Sequence, residues 1–168
     1  MKQPDLTAFK RVLKACATFA PLKDADLEEI AGMAVEKEYE AGDTIFRDGD
    51  KAREFYIIQV GKVAIQMLLP PSVHSQMGKR LTVDVVNPNG LFGWSAIIHP
   101  FTYGRSAICL QKVKALAVDG QKLNEFIKTK PDVGLLVLSG MIRVVTSRLN
   151  DTTQILVSER MLSTTPQK

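Results

Sequence analysis

A chain of 168 residues with 45% hydrophobic content can bury one well-formed core but is short for two ordinary domains, so a single domain is expected. A formal net charge of +4 is too small to argue by itself for a nucleic-acid partner. No apolar run approaches the roughly 20 residues that a membrane-crossing helix needs, which argues against a helical membrane protein.

The cysteines, Cys16 and Cys109, lack metal-ligand spacing. With no secretory signal in view, they read as buried free thiols of a reducing compartment, and a cytoplasmic location is the expectation.

From Asp5 to Phe19, the residues Leu6, Phe9, Leu13 and Cys16 recur at helical spacing and define one apolar face. Lys10, Arg11 and Lys14 form the opposite face, read as a solvated surface rather than a docking site. A second helix is expected after Pro21, with Asp24 as its N-cap and Leu27, Ile30 and Met33 on one side. Together these helices occupy residues 1–34.

Residues 35–119 change character, with short β-branched and apolar runs separated by turn signals such as E-A-G-D, R-D-G-D, V-G-K and N-P-N-G. Strands are expected at Phe55–Val60, Val63–Leu69, Leu81–Val86, Ser106–Leu110 and Val113–Val118. Such spacing suits a roll or sandwich. Pro70–Gly78 reads as a polar hairpin loop carrying His74. With His99 as the one other histidine, the ligands of a metal site are missing, and none is expected.

Asn89–Ala107 (N-G-L-F-G-W-S-A-I-I-H-P-F-T-Y-G-R-S-A) combines a glycine-marked turn, a short helical turn near Trp94, a loop, and Arg105 at the entrance to a strand. Gly90 and Gly93 allow close backbone approach to a ligand, and a helix start over Trp94–Ala96 leaves N–H groups without intrahelical partners. Arg105 supplies a planar fork of donors suited to phosphate. The stretch therefore reads as an anion cradle. Ser95 is not a hydrolase nucleophile, because G-W-S-A-I lacks the second glycine of the G-x-S-x-G elbow, and no catalytic residue is assigned.

F-G-x-x-A-I followed by R-S-A resembles the phosphate-binding cassette of the cyclic nucleotide-binding domain family. G-D-T-I-F at Gly42–Phe46, D-G-D at Asp48–Asp50 and F-Y-I-I-Q-V-G-K-V at Phe55–Val63 resemble the same family in register. The resemblance implies a β-roll, jelly-roll-like in connectivity, with its cassette at residues 90–107. It also implies that the backbone after Gly93 and the Arg105 side chain bind a cyclic phosphate. Phe92, Gly93, Trp94, Ser95, Ala96, Arg105, Ser106 and Ala107 are the implied ligand-binding positions. Trp94 stands where the family carries the glutamate that binds the ribose 2′-hydroxyl.

The C-terminal helices span residues 121–158. A short one at Gln121–Lys128 carries Leu123, Phe126 and Ile127 on one side. A long helix, with Thr129 as its cap and Pro131 in its first turn, carries Leu135, Leu138, Ile142, Val145, Leu149, Thr152 and Leu156 at spacings of three and four. Packing on its own roll is one role for this seam. Pairing with a second subunit is preferred, because Leu149–Leu156 lie beyond the reach of a compact core.

The expected function is that of a regulatory module binding a cyclic nucleotide or related phosphorylated small molecule, without chemistry or a further cofactor. It is expected to form a homodimer and to signal through a downstream protein partner, since the stretch after Leu156 is too brief for a helix-turn-helix. Nucleic acid and membrane are not expected as partners. The alternative is an assembly protein whose pocket no longer binds nucleotide. Loss of the carboxylate removes roughly 1.5–3 kcal/mol of charge-assisted hydrogen bonding, while base stacking on Trp94 could restore about 1–3 kcal/mol.

Overall fold

The computed structural model describes residues 5–69 and 80–163, the side chains of 156 and 159–163 excepted; the whole Pro70–Gly78 loop, with His74, lies outside the described residues. Helices α1 (Leu6–Ala15) and α2 (Asp24–Ala31) precede eight strands. These are β1 (Ala34–Tyr39), β2 (Thr44–Phe46), β3 (Glu54–Val60), β4 (Val63–Leu68), β5 (Arg80–Val86), β6 (Leu91–Phe92), β7 (Ser106–Cys109) and β8 (Val113–Asp119). A 3₁₀ turn, Trp94–Ala96, lies between β6 and β7, and α3 (Gly120–Thr129) and α4 (Pro131–Ser163) follow β8.

Two four-stranded antiparallel sheets, ordered β1-β8-β3-β6 and β2-β7-β4-β5, face each other. Most successive strands cross from one sheet to the other, which makes the expected β-roll. In β3 the period-2 alternation serves two cores. Phe55 and Ile57 pack with Phe19, Leu123, Val137 and Met141 in the helical layer. Tyr56 and Ile58 point into the roll with Phe46, Phe92, Tyr103 and Cys109.

Several expected boundaries shift for local reasons. Helix α1 ends at Ala15, not Phe19, because Cys16 is extended and its carbonyl accepts from the N–H groups of Phe19 and Ala20. Lys23 is the N-cap of α2, and Asp24 is its first residue, with a carboxylate 3.2 Å from Lys10 Nζ. Thr129 does not cap α4; it closes α3, its hydroxyl donating to the Phe126 carbonyl. Lys130 precedes α4 and reaches Asp26 and Glu29 of α2, joining the two helical ends of the chain.

Lys14 donates to the Leu22 carbonyl. Of the basic cluster on α1, only Arg11 therefore lacks a partner among the described residues.

Both thiols are buried and free. Burial raises the Cys16 pKa, while burial and the Asp43 charge push Cys109 up to about 11 from 9.0. The unfolded chain therefore releases these protons at lower pH than the folded one. The resulting stabilisation is complete below about pH 9 and is lost as pH rises toward about 11. Urea midpoints are expected to fall between pH 8.5 and 11, and Cys109→Ser to flatten that fall. Thiol reagents at pH 8 are expected to label both cysteines only on unfolding. Rapid labelling of the native protein would contradict this burial.

Candidate functional site

The cassette is shaped by contacts that leave few conformational choices. Gly93 adopts φ 78°, and a Cβ there would lie 3.3 Å from the Glu54 carbonyl and from the rings of Phe46 and Tyr56. The left-handed residue reverses the chain out of β6 into the 3₁₀ turn. Within the turn, the Ala96 N–H donates to the Gly93 carbonyl (3.1 Å) and the Ile97 N–H to the Trp94 carbonyl (2.9 Å). The N–H groups of Trp94 and Ser95 have no backbone acceptor among the described residues.

Gly90 has a different task from the one expected. Its Cβ would meet Val86 Cγ1 at 2.6 Å and the Asn87 carbonyl at 2.8 Å, so it permits the tight β5–β6 turn and does not border the cavity.

On the opposite side, the loop before β7 is fixed by Tyr103. Its ring stacks on Phe46 at 3.7 Å, its hydroxyl donates to the Glu54 carbonyl (2.6 Å), and its backbone pairs with Gly49 and Asp50. This clamp presents Arg105, whose Nη1 donates only to the adjacent Gly104 carbonyl (2.5 Å). No described carboxylate lies within ion-pair distance of it. Beneath the clamp, the Tyr56 hydroxyl donates to Glu54, which also pairs with Lys37 at 2.6 Å. Burial raises the Tyr56 pKa far above that of a free phenol and, together with the Glu54 charge, moves Tyr39 to about 12.

Phe92, Gly93, Trp94, Ser95 and Arg105 surround one cavity, which offers ≈ 80 Å³ to the centres of water-sized molecules. Three other expected positions do not border it. Ala96 is buried, with its N–H engaged by Gly93; Ser106 accepts a hydrogen bond from the Asp48 N–H; Ala107 is fully buried between β2 and β4. His99 is exposed at the far end of the loop, its ring edge-on to Phe101, and does not border the cavity either.

Arg148 of α4, which sequence reasoning missed, completes the wall. Its Nε lies 2.9 Å from Asp84 of β5, its Nη2 donates to the Leu91 carbonyl (2.6 Å), and its Cζ sits 4.7 Å from the centre of the Trp94 ring. Burial lowers its pKa while Asp84 opposes that shift. Among the described residues no carboxylate borders the cavity, and the charged side chains that line it are Arg105 and Arg148.

The cyclic nucleotide-binding domain model matches residues 36–130, a stretch running from β1 through the cassette to the end of α3. The chain belongs to the cyclic nucleotide-binding domain family. It is 23% identical over 141 residues to a CRP-like cAMP-activated global transcriptional regulator of Mycobacterium tuberculosis, covering 84% of this chain but 58% of that protein. The chain therefore spans little more than half the length of that relative. Among solved structures, it resembles a Geobacter metallireducens protein assigned as a cyclic nucleotide-binding protein (27% identity, TM-score 0.70, 89% of this chain and 99% of the other). It also resembles the N-terminal domain of a Streptomyces coelicolor transcriptional regulator (28% identity, TM-score 0.63, 86% and 94%).

In this cyclic nucleotide-binding domain the cassette turn is fastened to α3. Asn124 Nδ2 donates to the Ile97 carbonyl (3.1 Å), and a Cβ on Gly120 would fall 2.3 Å from the Ala96 carbonyl oxygen. Gly120→Ala must displace backbone on one side of that contact and is expected to cost at least about 1–3 kcal/mol. Urea denaturation checks this, and an unchanged midpoint would show that α3 and the turn separate freely.

Proposed function

We propose that the chain is a regulatory module that binds a phosphate-bearing small molecule, a cyclic nucleotide or a close relative, in the cavity between the Trp94 turn and Arg105. The observation that carries this reading is that Arg105, Trp94 and Ser95 border one cavity, that the Trp94 and Ser95 N–H groups have no backbone acceptor, and that no carboxylate borders the cavity among the described residues. A guanidinium and two backbone donors suit a phosphate oxyanion. The cAMP-activated relative supports the nucleotide class.

In the same reading, the chain acts as a homodimer through α4 and conveys occupancy to a protein partner. Support comes from α4 itself. Val137, Gly140 and Met141 are buried on the body of the domain, while the adjacent face leaves Leu135, Leu138, Ile142, Val145 and Leu149 exposed. Thr152 is exposed on the continuation of that face, and the Leu156 side chain lies outside the described residues.

A thermal-shift screen of cyclic mono- and dinucleotides, nucleotides and inorganic phosphates tests the ligand class. A ligand at one hundred times its Kd adds about 2.7 kcal/mol, a rise in Tm of roughly 5–10 °C for a chain of this size. No shift with any phosphate-bearing compound would move the assignment to an assembly protein with a vestigial pocket.

A further inference from the structure

A second and larger concavity begins where the cassette turn leaves the first. It is an open groove of ≈ 960 Å³ bounded by the chain that enters β3, the loop after the 3₁₀ turn and α3. Small-molecule sites are commonly about 300–1,000 Å³ in volume.

The lining divides into an apolar floor and a charged rim. Ala52, Ala96 and Ile97 are buried and supply the floor. Phe101 adds an aromatic ring that is 38% exposed. Its backbone holds φ 58°, a left-handed conformation that bulky side chains rarely adopt. Main-chain bonds keep it there, the Phe101 N–H donating to the Ile98 carbonyl (2.9 Å) and the Ala52 N–H to the Phe101 carbonyl (2.8 Å). An aromatic side chain is thereby pinned at the edge of the floor and left partly uncovered.

The rim is unbalanced in charge. Each acid on it already has a partner. Glu54 pairs with Lys37 (2.6 Å), Asp119 accepts from the Lys122 N–H (3.0 Å) as the N-cap of α3, and Glu125 accepts from Gln121 Nε2 (3.2 Å). Lys51, Arg53 and Lys128 are exposed, and none has a carboxylate within ion-pair distance among the described residues.

We propose that this groove is a second binding site, for a small aromatic polyanion. Its anionic groups pair with Lys51, Arg53 and Lys128, and its flat body covers Ile97 and the Phe101 ring. The mixed wall selects this class, since cations alone would suit an inorganic anion and the floor alone a neutral ligand. The site does not depend on the phosphate reading of the cavity, because Trp94, Ser95 and Arg105 do not border the groove. The two sites are nevertheless adjacent. Asn124, also on the groove, holds the Ile97 carbonyl (3.1 Å), so a molecule seated here bears on the segment that fixes the cassette turn.

The test is calorimetric titration of the protein with benzene-1,3,5-tricarboxylate, which is expected to bind at one site with a Kd of about 1 mM or tighter. Propane-1,2,3-tricarboxylate keeps the charge without the ring and is expected to bind at least about fivefold more weakly. Lys51→Ala/Arg53→Ala removes two exposed, unpaired side chains and leaves the urea midpoint unchanged, while the aromatic probe is expected to lose at least about tenfold in affinity. On binding, the amide resonances of Ala52, Ile97 and Gln121 are expected to move. Arg105→Ala locates the probe independently: unchanged affinity supports the groove, and lost affinity places the probe in the cassette cavity and overturns the proposal. No binding to the wild type, equal affinity for the two tricarboxylates, or no loss in the double variant overturns it as well.

Discussion

Replacing Arg105 with alanine is expected to lower the affinity for any phosphate-bearing ligand by ~100-fold or more, since it removes charge-assisted hydrogen bonds worth roughly 1.5–3 kcal/mol each. Arg105 borders the cavity and has no carboxylate partner among the described residues, so its truncation strands no buried acid and leaves the fold intact. The same geometry predicts indifference to the ribose. If the resemblance aligns Trp94 with the family's ribose-binding glutamate, a 2′-deoxy analogue is expected to bind within a few-fold of its parent. Trp94→Glu is expected to favour the parent by about tenfold or more, the value of one charge-assisted hydrogen bond. Full affinity retained by Arg105→Ala would mean that the ligand sits elsewhere.

A comparably large effect is expected at the other end of the molecule. Leu135, Ile142 and Leu149, seven residues apart, are 68%, 65% and 64% exposed, while Val137 on the inner face is fully buried. Burying each such side chain against a partner contributes roughly 1.5–3 kcal/mol, and the regular spacing lets two copies of α4 mesh along one line. Light scattering after size exclusion is expected to give twice the chain mass at tens of micromolar. Leu149→Asp places a charge in the middle of the seam and is expected to yield monomer or aggregate. A wild-type monomer under those conditions would falsify the dimer.

Much of the architecture was legible in the sequence because it is written in local chemistry. Gly42, Gly49 and Gly61 adopt positive φ at the turns where the motifs placed them. The apolar runs of β3 and β8 became the strands that are buried on both faces. Strand β1 was harder to see, since A-V-E-K-E-Y carries charge on both faces. It is an edge strand paired only with β8, and its faces need not alternate.

Within the cassette, proximity in sequence was a poor guide to proximity to the cavity. Ala96, Ser106 and Ala107 lie beside cavity-lining residues, but the fold engages the Ala96 N–H and the Ser106 hydroxyl and buries Ala107. Arg148 was invisible for the opposite reason. An arginine beside Leu149 in a heptad series reads as solvent-facing charge, and only the fold brings it to Asp84 and Trp94. The one available signal was Asp84 itself, a lone acid within the apolar run L-T-V-D-V-V.

Helix α4 meets the body of the domain at Gly140 without an intervening side chain. A Cβ there would fall 2.8 Å from the Thr18 backbone, so the two main chains nearly touch. A contact of this kind fixes a point more firmly than a direction, and α4 has the mechanics of a lever with its fulcrum at Gly140. At about 1.5 Å of rise per residue, Leu149 lies roughly 13 Å along the arm, and a tilt of about 5° carries it by about 1 Å. Arg148 sits on the same arm, one residue short of Leu149. In the dimer proposed above, a displacement of about 1 Å at the cavity wall and a change in how the two subunits meet would therefore be the same motion read at neighbouring points.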